Sequence, residues 1–322
     1  MTMASRIEAM SIALKRDSHY FGTTKKVNGN AVWTGKLALA PDHIIAAPLG
    51  WKKPRRVFVN SMSDLFHEDI PDEWIDRCFA VMALCPQHKF QILTKRPEQM
   101  QAYCSDPQTV DRVFDLVCDL ALELYADVVL IAPGVDPDLA PPGPQVFLGR
   151  WPLPNVWLGT SCEDQATADE RIPLLLDTLA AVRFISAEPL LGPIDLAAMP
   201  FNDGDPRHRF DALTGQALLY GTGVDGNPDM TVRMEKPIRQ HLDWVIVGGE
   251  SGRGARDFNI EWARSILNQC KAAGVACFVK QLGSNPTLGG VELGILGAGL
   301  RDKKGGDWLE WPEDIRVREF PA

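Results

Sequence analysis

Six short runs of β-branched and aromatic residues recur along the chain, separated by longer segments whose apolar residues fall at helical spacing. This alternation limits the fold more than any other feature. The runs are 55–60 (RRVFVN), 89–94 (KFQILT), 155–160 (NVWLGT), 183–187 (RFISA), 243–247 (DWVIV) and 275–280 (VACFVK). They are nearly continuous in apolar residues, as strands covered on both faces are. Between them, 72–85 places Trp74, Ile75, Cys78, Phe79, Met82 and Cys85 on one helical stripe. Segments 109–125 (Val110, Val113, Phe114, Val117, Leu120, Leu124) and 260–273 (Ile260, Ala263, Ile266, Leu267, Cys270) do the same. Strand, helix, strand repeats predict parallel pairing through right-handed crossovers, and hence an α/β fold. A parallel (β/α) barrel or partial barrel of the TIM type is the first expectation, and an open doubly wound sheet the second.

Two stretches break the rhythm. Ala132–Pro154 is rich in Pro and Gly, and Met199–His241 is polar and punctuated by Gly and Asp. Both read as long loops or small hairpin excursions, since neither carries the apolar residues of a separate core. The expectation is therefore one domain over residues 1–322. In the tail, Gly305-Gly306 followed by Trp308, Leu309 and Trp311 predicts a turn and a docked apolar segment.

At 322 residues and 45% hydrophobic content the chain buries a core without staples. No run of about 18 apolar residues and no signal peptide is visible, so a cytoplasmic protein with no membrane partner is expected. The seven cysteines stand singly with no CxxC spacing, which encodes neither a disulfide framework nor a zinc site. The formal charge of −9 gives a nucleic-acid partner no general support, although a local groove could be basic. The one dense basic cluster, Lys52, Lys53, Arg55 and Arg56, reads as the solvated lead-in to a strand.

In parallel α/β folds the loops after the strands form the functional face. Here they are recurrently polar: Asn60-Ser61-Met62-Ser63-Asp64, Thr94-Lys95-Arg96, Thr160-Ser161-Cys162-Glu163-Asp164, Ser186-Ala187-Glu188, Gly248-Gly249-Glu250-Ser251 and Lys280-Gln281. Each alone is weak, and Asp64, Asp164 and Ser251 serve equally well as helix N-caps. Their recurrence predicts a single polar mouth. The glycine-rich 248–254 loop suits an anion or simply a tight turn, and fits neither GxGxxG nor a P-loop. Lys95-Arg96-Pro97 offers two cations before a helix start. Cys162 lacks a nearby His and reads as an inert small residue. His67-Glu68-Asp69 reads as an exposed acidic turn.

The strings VNSMSDLFHE, ILTKRPE, VWLGTSCEDQ, ISAEPLLGPI and WVIVGGESG, with the tail DKKGGDWLEWPEDIRVREFP, resemble the phage gene-product thirty-seven/sixty-eight family, a domain of unknown function carried by phages and bacteria. Members of that family resemble radical S-adenosylmethionine enzymes, whose three-cysteine loop holds a [4Fe–4S] cluster. Glu8–Leu14 matches the helix after that loop, yet only Met1–Ile7 precedes it, and neither the first strand nor the three cysteines are present. Either the natural protein begins upstream, which would leave the barrel short of one strand and open, or the chain has lost the redox chemistry. A cluster is expected only if an upstream cysteine segment exists.

The resemblance implies S-adenosylmethionine as a small-molecule cofactor, held by Ser61, Ser63 and Asp64 with Lys95 and Arg96 on its carboxylate. Glu163, Glu188 and Lys280 would act on a substrate contacted by Ser161, Gly249, Glu250, Ser251 and Gln281. Two other readings stand beside it. One is a barrel hydrolase using paired carboxylates from Glu163, Glu188 and Glu250. The other is a non-catalytic binding or accessory protein that has kept the pocket.

Overall fold

A computed structural model describes residues 19–61, 63–124, 129–131, 145–147, 150–201, 203–222, 228–292 and 299–321. All six expected strands form. They are β1 (Arg56–Val59), β2 (Lys89–Thr94), β3 (Val156–Ser161), β4 (Val182–Ala187), β5 (Trp244–Gly248) and β6 (Ala276–Gln281). Their order across one six-stranded parallel sheet is their order along the chain. A doubly wound sheet reverses its strand order at a switch point, and this one does not, so the second expectation is excluded. The sheet is an open half-barrel.

The expected helices form as α1 (Asp72–Ala83), α3 (Pro107–Leu124) and α5 (Ile260–Ala273). Two more, α2 (Pro97–Ser105) and α4 (Gln165–Leu176), follow β2 and β3. Pro97 starts α2, where its missing N–H costs nothing. Asp164 starts α4 with a full capping box: its carboxylate accepts the Thr167 N–H, and the Thr167 hydroxyl accepts the Asp164 N–H. Asn259 caps α5, and Gly274 closes it at φ 72°. Asp64 and Ser251 cap no helix; Asp64 accepts the Phe66 N–H in a local turn.

The chain falls into two compact units. The first takes residues up to Phe90 together with Asp106–Asn155. In it α1 packs on α3 through Ile75, Phe79, Val113 and Val117, all 3% exposed or less. Arg112 fastens the pair by reaching the buried Asp76 (2.8 Å) and Asp72 (3.2 Å). A hairpin, Thr24–Val27 with Asn30–Trp33, turns at Asn28-Gly29 with φ 49° and 79°. That is the Asn-Gly turn such hairpins favour, a legible signal that reading for a parallel fold passes over. The basic cluster at 52–56 is exposed ahead of β1, with Arg55 over the Trp51 ring at 4.5 Å. His67 accepts the Asp69 N–H within an acidic turn, as expected. Most of the 132–154 stretch lies outside the described residues; its piece Gln145–Phe147 pairs in parallel with Val129–Ile131.

The second unit takes Gln91–Ser105 and residues from Val156 onward. Alternation along its strands separates two faces. One carries Leu158, Ile185, Val245, Val247 and Val279, none more than 2% exposed, and meets α5 where Cys277 contacts Cys270. The other carries an aromatic layer of Trp157, Phe184, Trp244 and Phe278. Gly159 leaves room for the Phe184 ring, which a Cβ there would meet at 2.6 Å.

The 199–241 stretch is more ordered than a loop. Met199–Pro200, His208–Phe210, Gln216–Thr222 and Pro228–Pro237 make a four-stranded antiparallel sheet, with Met199 and Phe210 fully buried. Two of its strands are only two and three residues long, and the other two carry no sustained alternation, so no period is visible in the sequence. The tail docks as expected through Trp311 and Ile315, whereas Trp308 and Leu309 stay 41% and 68% exposed. Its last residues pair antiparallel with the β6 edge, Val279 N–H to Val317 O and Glu319 N–H to Cys277 O. Phe320 then lies 5.2 Å from both Trp244 and Phe278.

Candidate functional site

Within the second unit, side-chain register decides which strand-end residues meet. Ser161 pairs with Ser186, Ser186 with Ile246 and Ile246 with Phe278, all on the aromatic face. Two residues further on, the same face carries Glu163 and Glu188 at equivalent places on neighbouring strands, with Gly248 beside them. A register shift sets Gly248 opposite Gln281 and leaves Lys280 as the extra residue. Such a bulge re-aims a side chain, and here the Lys280 ammonium reaches Glu188 at 3.2 Å. Cys162 has the opposite parity and is fully buried away from this layer.

Glu163 accepts from Lys95 and from Arg171 (3.2 Å), and Arg171 also donates to the Ser161 carbonyl (2.8 Å). Glu188 accepts from Lys280 and from the Ser186 hydroxyl (3.1 Å). Both carboxylates are recessed, 12% and 16% exposed, while both lysines are 58% exposed. Gly248 leaves room for this packing, because a Cβ there would displace the Glu188 carboxylate. Glu250 is turned onto its own loop, where Arg256 holds it at 2.8 Å and keeps its carboxyl below the usual carboxylate range. Glu163 is close enough to help raise the Arg256 guanidinium. The ring thus brings four cations (Lys95, Arg171, Arg256, Lys280) to three carboxylates (Glu163, Glu188, Glu250).

Gly249 and Gln281 are occupied by the backbone. The Gly249 N–H donates to the Gln281 carbonyl at 2.9 Å, and the Gln281 amide returns to the Gly249 carbonyl at 2.8 Å. Ser251 is exposed beside them. Arg171 and Arg256 are absent from the strand-end strings. Arg171 stands on α4, ten residues after Ser161, and no local pattern marks it. Its Nε is buried without a hydrogen-bond partner among the described residues.

The first unit has its own cavity of about 470 Å³. Ser61, Ser63 and Asp64 line it, together with Asn60 and the aromatic Trp33, Phe58 and Trp74. Asn60 is held at φ 52°, a left-handed conformation that Asn tolerates better than most residues. Lys36 also lines the cavity but gives its ammonium to the Phe21 carbonyl at 3.2 Å. Lys95 and Arg96 are not among the lining residues.

An open parallel half-barrel with a charged ring at the ends of its strands defines an α/β protein with a polar strand-end mouth. The chain belongs to the DUF5131 family, described as a protein of unknown function, whose model matches residues 1–308. No curated protein matches the chain. No helix among the described residues is long and apolar enough to cross a membrane.

Proposed function

We propose that this is a cytoplasmic protein of the phage and bacterial radical-enzyme type, built on part of a TIM-type barrel, that binds S-adenosylmethionine in the cavity of its first unit. The observation that supports this is the lining: Ser61, Ser63 and Asp64 stand in one cavity with Trp33, Phe58 and Trp74. A ligand that joins a purine to a sulfonium and an ammonium asks for a carboxylate beside aromatic faces. Its ribose asks for hydroxyl and amide partners, which Ser61, Ser63 and Asn60 offer. When bound, the cofactor supplies an activated sulfonium; the chain's own residues hold and orient it.

A [4Fe–4S] cluster does not fit the residues present. It needs three thiolates on one compact loop, and the seven cysteines here are all single. Burial pushes the Cys104 and Cys85 thiols up to about 12 and the Cys162 thiol higher still. Among the described residues no three His, Cys, Asp or Glu side chains are grouped to hold a metal ion.

Calorimetric titration tests the reading. Micromolar to sub-millimolar binding of S-adenosylmethionine is expected, weakened about tenfold or more in D64N, which loses a charged partner. No heat up to millimolar ligand would remove it. The hydrolase reading keeps one observation in its favour. Glu163 and Glu188 follow paired positions on adjacent strands and stand on the same face, and a pair of carboxylates is what glycoside hydrolysis uses. It requires turnover of aryl glycosides that E163Q and E188Q each abolish, and an inactive wild type removes it. Cofactor binding without any turnover would select the accessory-protein reading.

A further inference from the structure

We propose that the loops closing the C-terminal ends of β5 and β6 form a surface for single-stranded nucleic acid, although the chain as a whole carries a charge of −9. The surface lies in the second unit, shares no residue with the cavity of the first, and does not depend on the cofactor reading.

Three loops are stitched together there. The Gly252 N–H donates to the Ser284 hydroxyl (2.9 Å), which donates in turn to the Lys303 carbonyl (2.6 Å). The Leu282 N–H donates to the Gly305 carbonyl (2.9 Å), which also accepts the Trp311 indole N–H (2.9 Å). Gly305 packs so closely that a Cβ would meet the Gly283 carbonyl at 2.5 Å. The platform is therefore cross-linked by both backbone and side-chain hydrogen bonds and closely packed at Gly305.

The acids in these loops are engaged by local donors, the exposed Asp257 and Asp307 included: they accept the Asn285 amide N–H (2.6 Å) and the Leu309 N–H (3.1 Å). Asp302 accepts the N–H groups of Lys304 (3.1 Å), Gly306 (2.7 Å) and Asp307 (3.1 Å), which hold its carboxyl below the usual range. Glu310 accepts the N–H groups of Arg301 (2.8 Å) and Asp302 (3.1 Å). Glu250 is taken by Arg256. The cations point outward: Arg253, Arg301, Lys303 and Lys304 are exposed, and none forms an ion pair with a described residue. Beside them Trp308 stays 41% exposed, with the Arg318 guanidinium 5.4 Å from its ring.

Unpaired cations on a fixed loop next to an exposed indole are the two parts of single-strand recognition: charges that follow phosphates and a ring on which a base stacks. An acidic peptide would use the charges and leave the indole idle, and a bilayer would call for an amphipathic face that these loops lack.

Fluorescence anisotropy of the full chain with a labelled 20-nucleotide single strand is the test. Micromolar binding at 50 mM salt is expected. The log–log salt slope should be roughly −3 for four phosphate contacts at about −0.7 each. The triple variant R253E/K303E/K304E should bind at least tenfold more weakly with a shallower slope. W308A should lose about fivefold or more with its slope unchanged. Both variants keep their far-ultraviolet circular dichroism, because the substituted side chains are exposed. No binding at 50 mM salt, or binding that the triple variant leaves intact, would overturn the proposal. So would equal affinity for polyglutamate or for anionic phosphatidylserine vesicles.

Discussion

Single residues carry much of the geometry at the strand ends. Gly248 is one case, since any side chain there displaces the Glu188 carboxylate from Ser186 and Lys280. G248A should lower unfolding free energy by about 1–3 kcal/mol, as overpacking does, read from denaturant midpoints. Asp164 makes a second prediction. Backbone and side-chain hydrogen bonds from Thr167 hold its carboxyl below the usual range. Its folded value is thus below its unfolded one, so its contribution is complete above the ordinary aspartate range and fades as pH falls through the folded value. D164A should cost about 1 kcal/mol at pH 7, and the gap from wild type should narrow in melts run at successively lower pH beneath the ordinary aspartate range. Asp164 was legible as a cap because Asp followed by a helical segment is local chemistry. Arg171 was not, because its partners Glu163 and Ser161 are reached across a turn of α4 and depend on where the helix lies on its strand.

At the scale of elements, two fastenings invite measurement. Arg112 ties α1 to α3 through Asp76, whose side chain is 2% exposed. R112A leaves that carboxylate buried without its cation and should destabilise by about 3 kcal/mol, the low end for a broken buried pair because Arg112 itself is one-third exposed. The tail is the other. Deleting Val317–Ala322 opens the β6 edge and uncovers Trp244 and Phe278, so the truncated protein should self-associate in light scattering and shift its tryptophan emission. The six strands and three helices could be read from period alone, since burial on both faces of a strand or one stripe of a helix is written into composition. The antiparallel sheet of 199–237 could not. Its strands are two to ten residues long, and their partners lie up to about twenty residues away. Pairing there depends on which segments fold back, and no short window of sequence encodes that.

For the molecule as a whole, the cysteines give the broadest test. Burial raises Cys78 to about 11 and Cys85 and Cys104 to about 12, and all seven are free thiols. Ellman's reagent at pH 8 should label slowly and substoichiometrically in the native state and reach seven per chain in guanidinium. Fast labelling of several thiols without denaturant would contradict that burial. Anaerobic reconstitution with iron and sulfide should leave no cluster absorbance near 400 nm. The sequence by itself determined a parallel α/β protein with polar strand ends, because alternation, helical period and cap chemistry act over a few residues. Only the tertiary structure decided which of those polar residues act together. Register on one sheet face set Glu163 and Glu188 side by side and turned Cys162 away. Backbone pairing took up Gly249 and Gln281. The folding of residues 19–78 gathered Ser61, Ser63 and Asp64 along an open cavity that aromatic rings also line. Proximity of this kind is a property of the packed chain, in which residues tens of positions apart become neighbours.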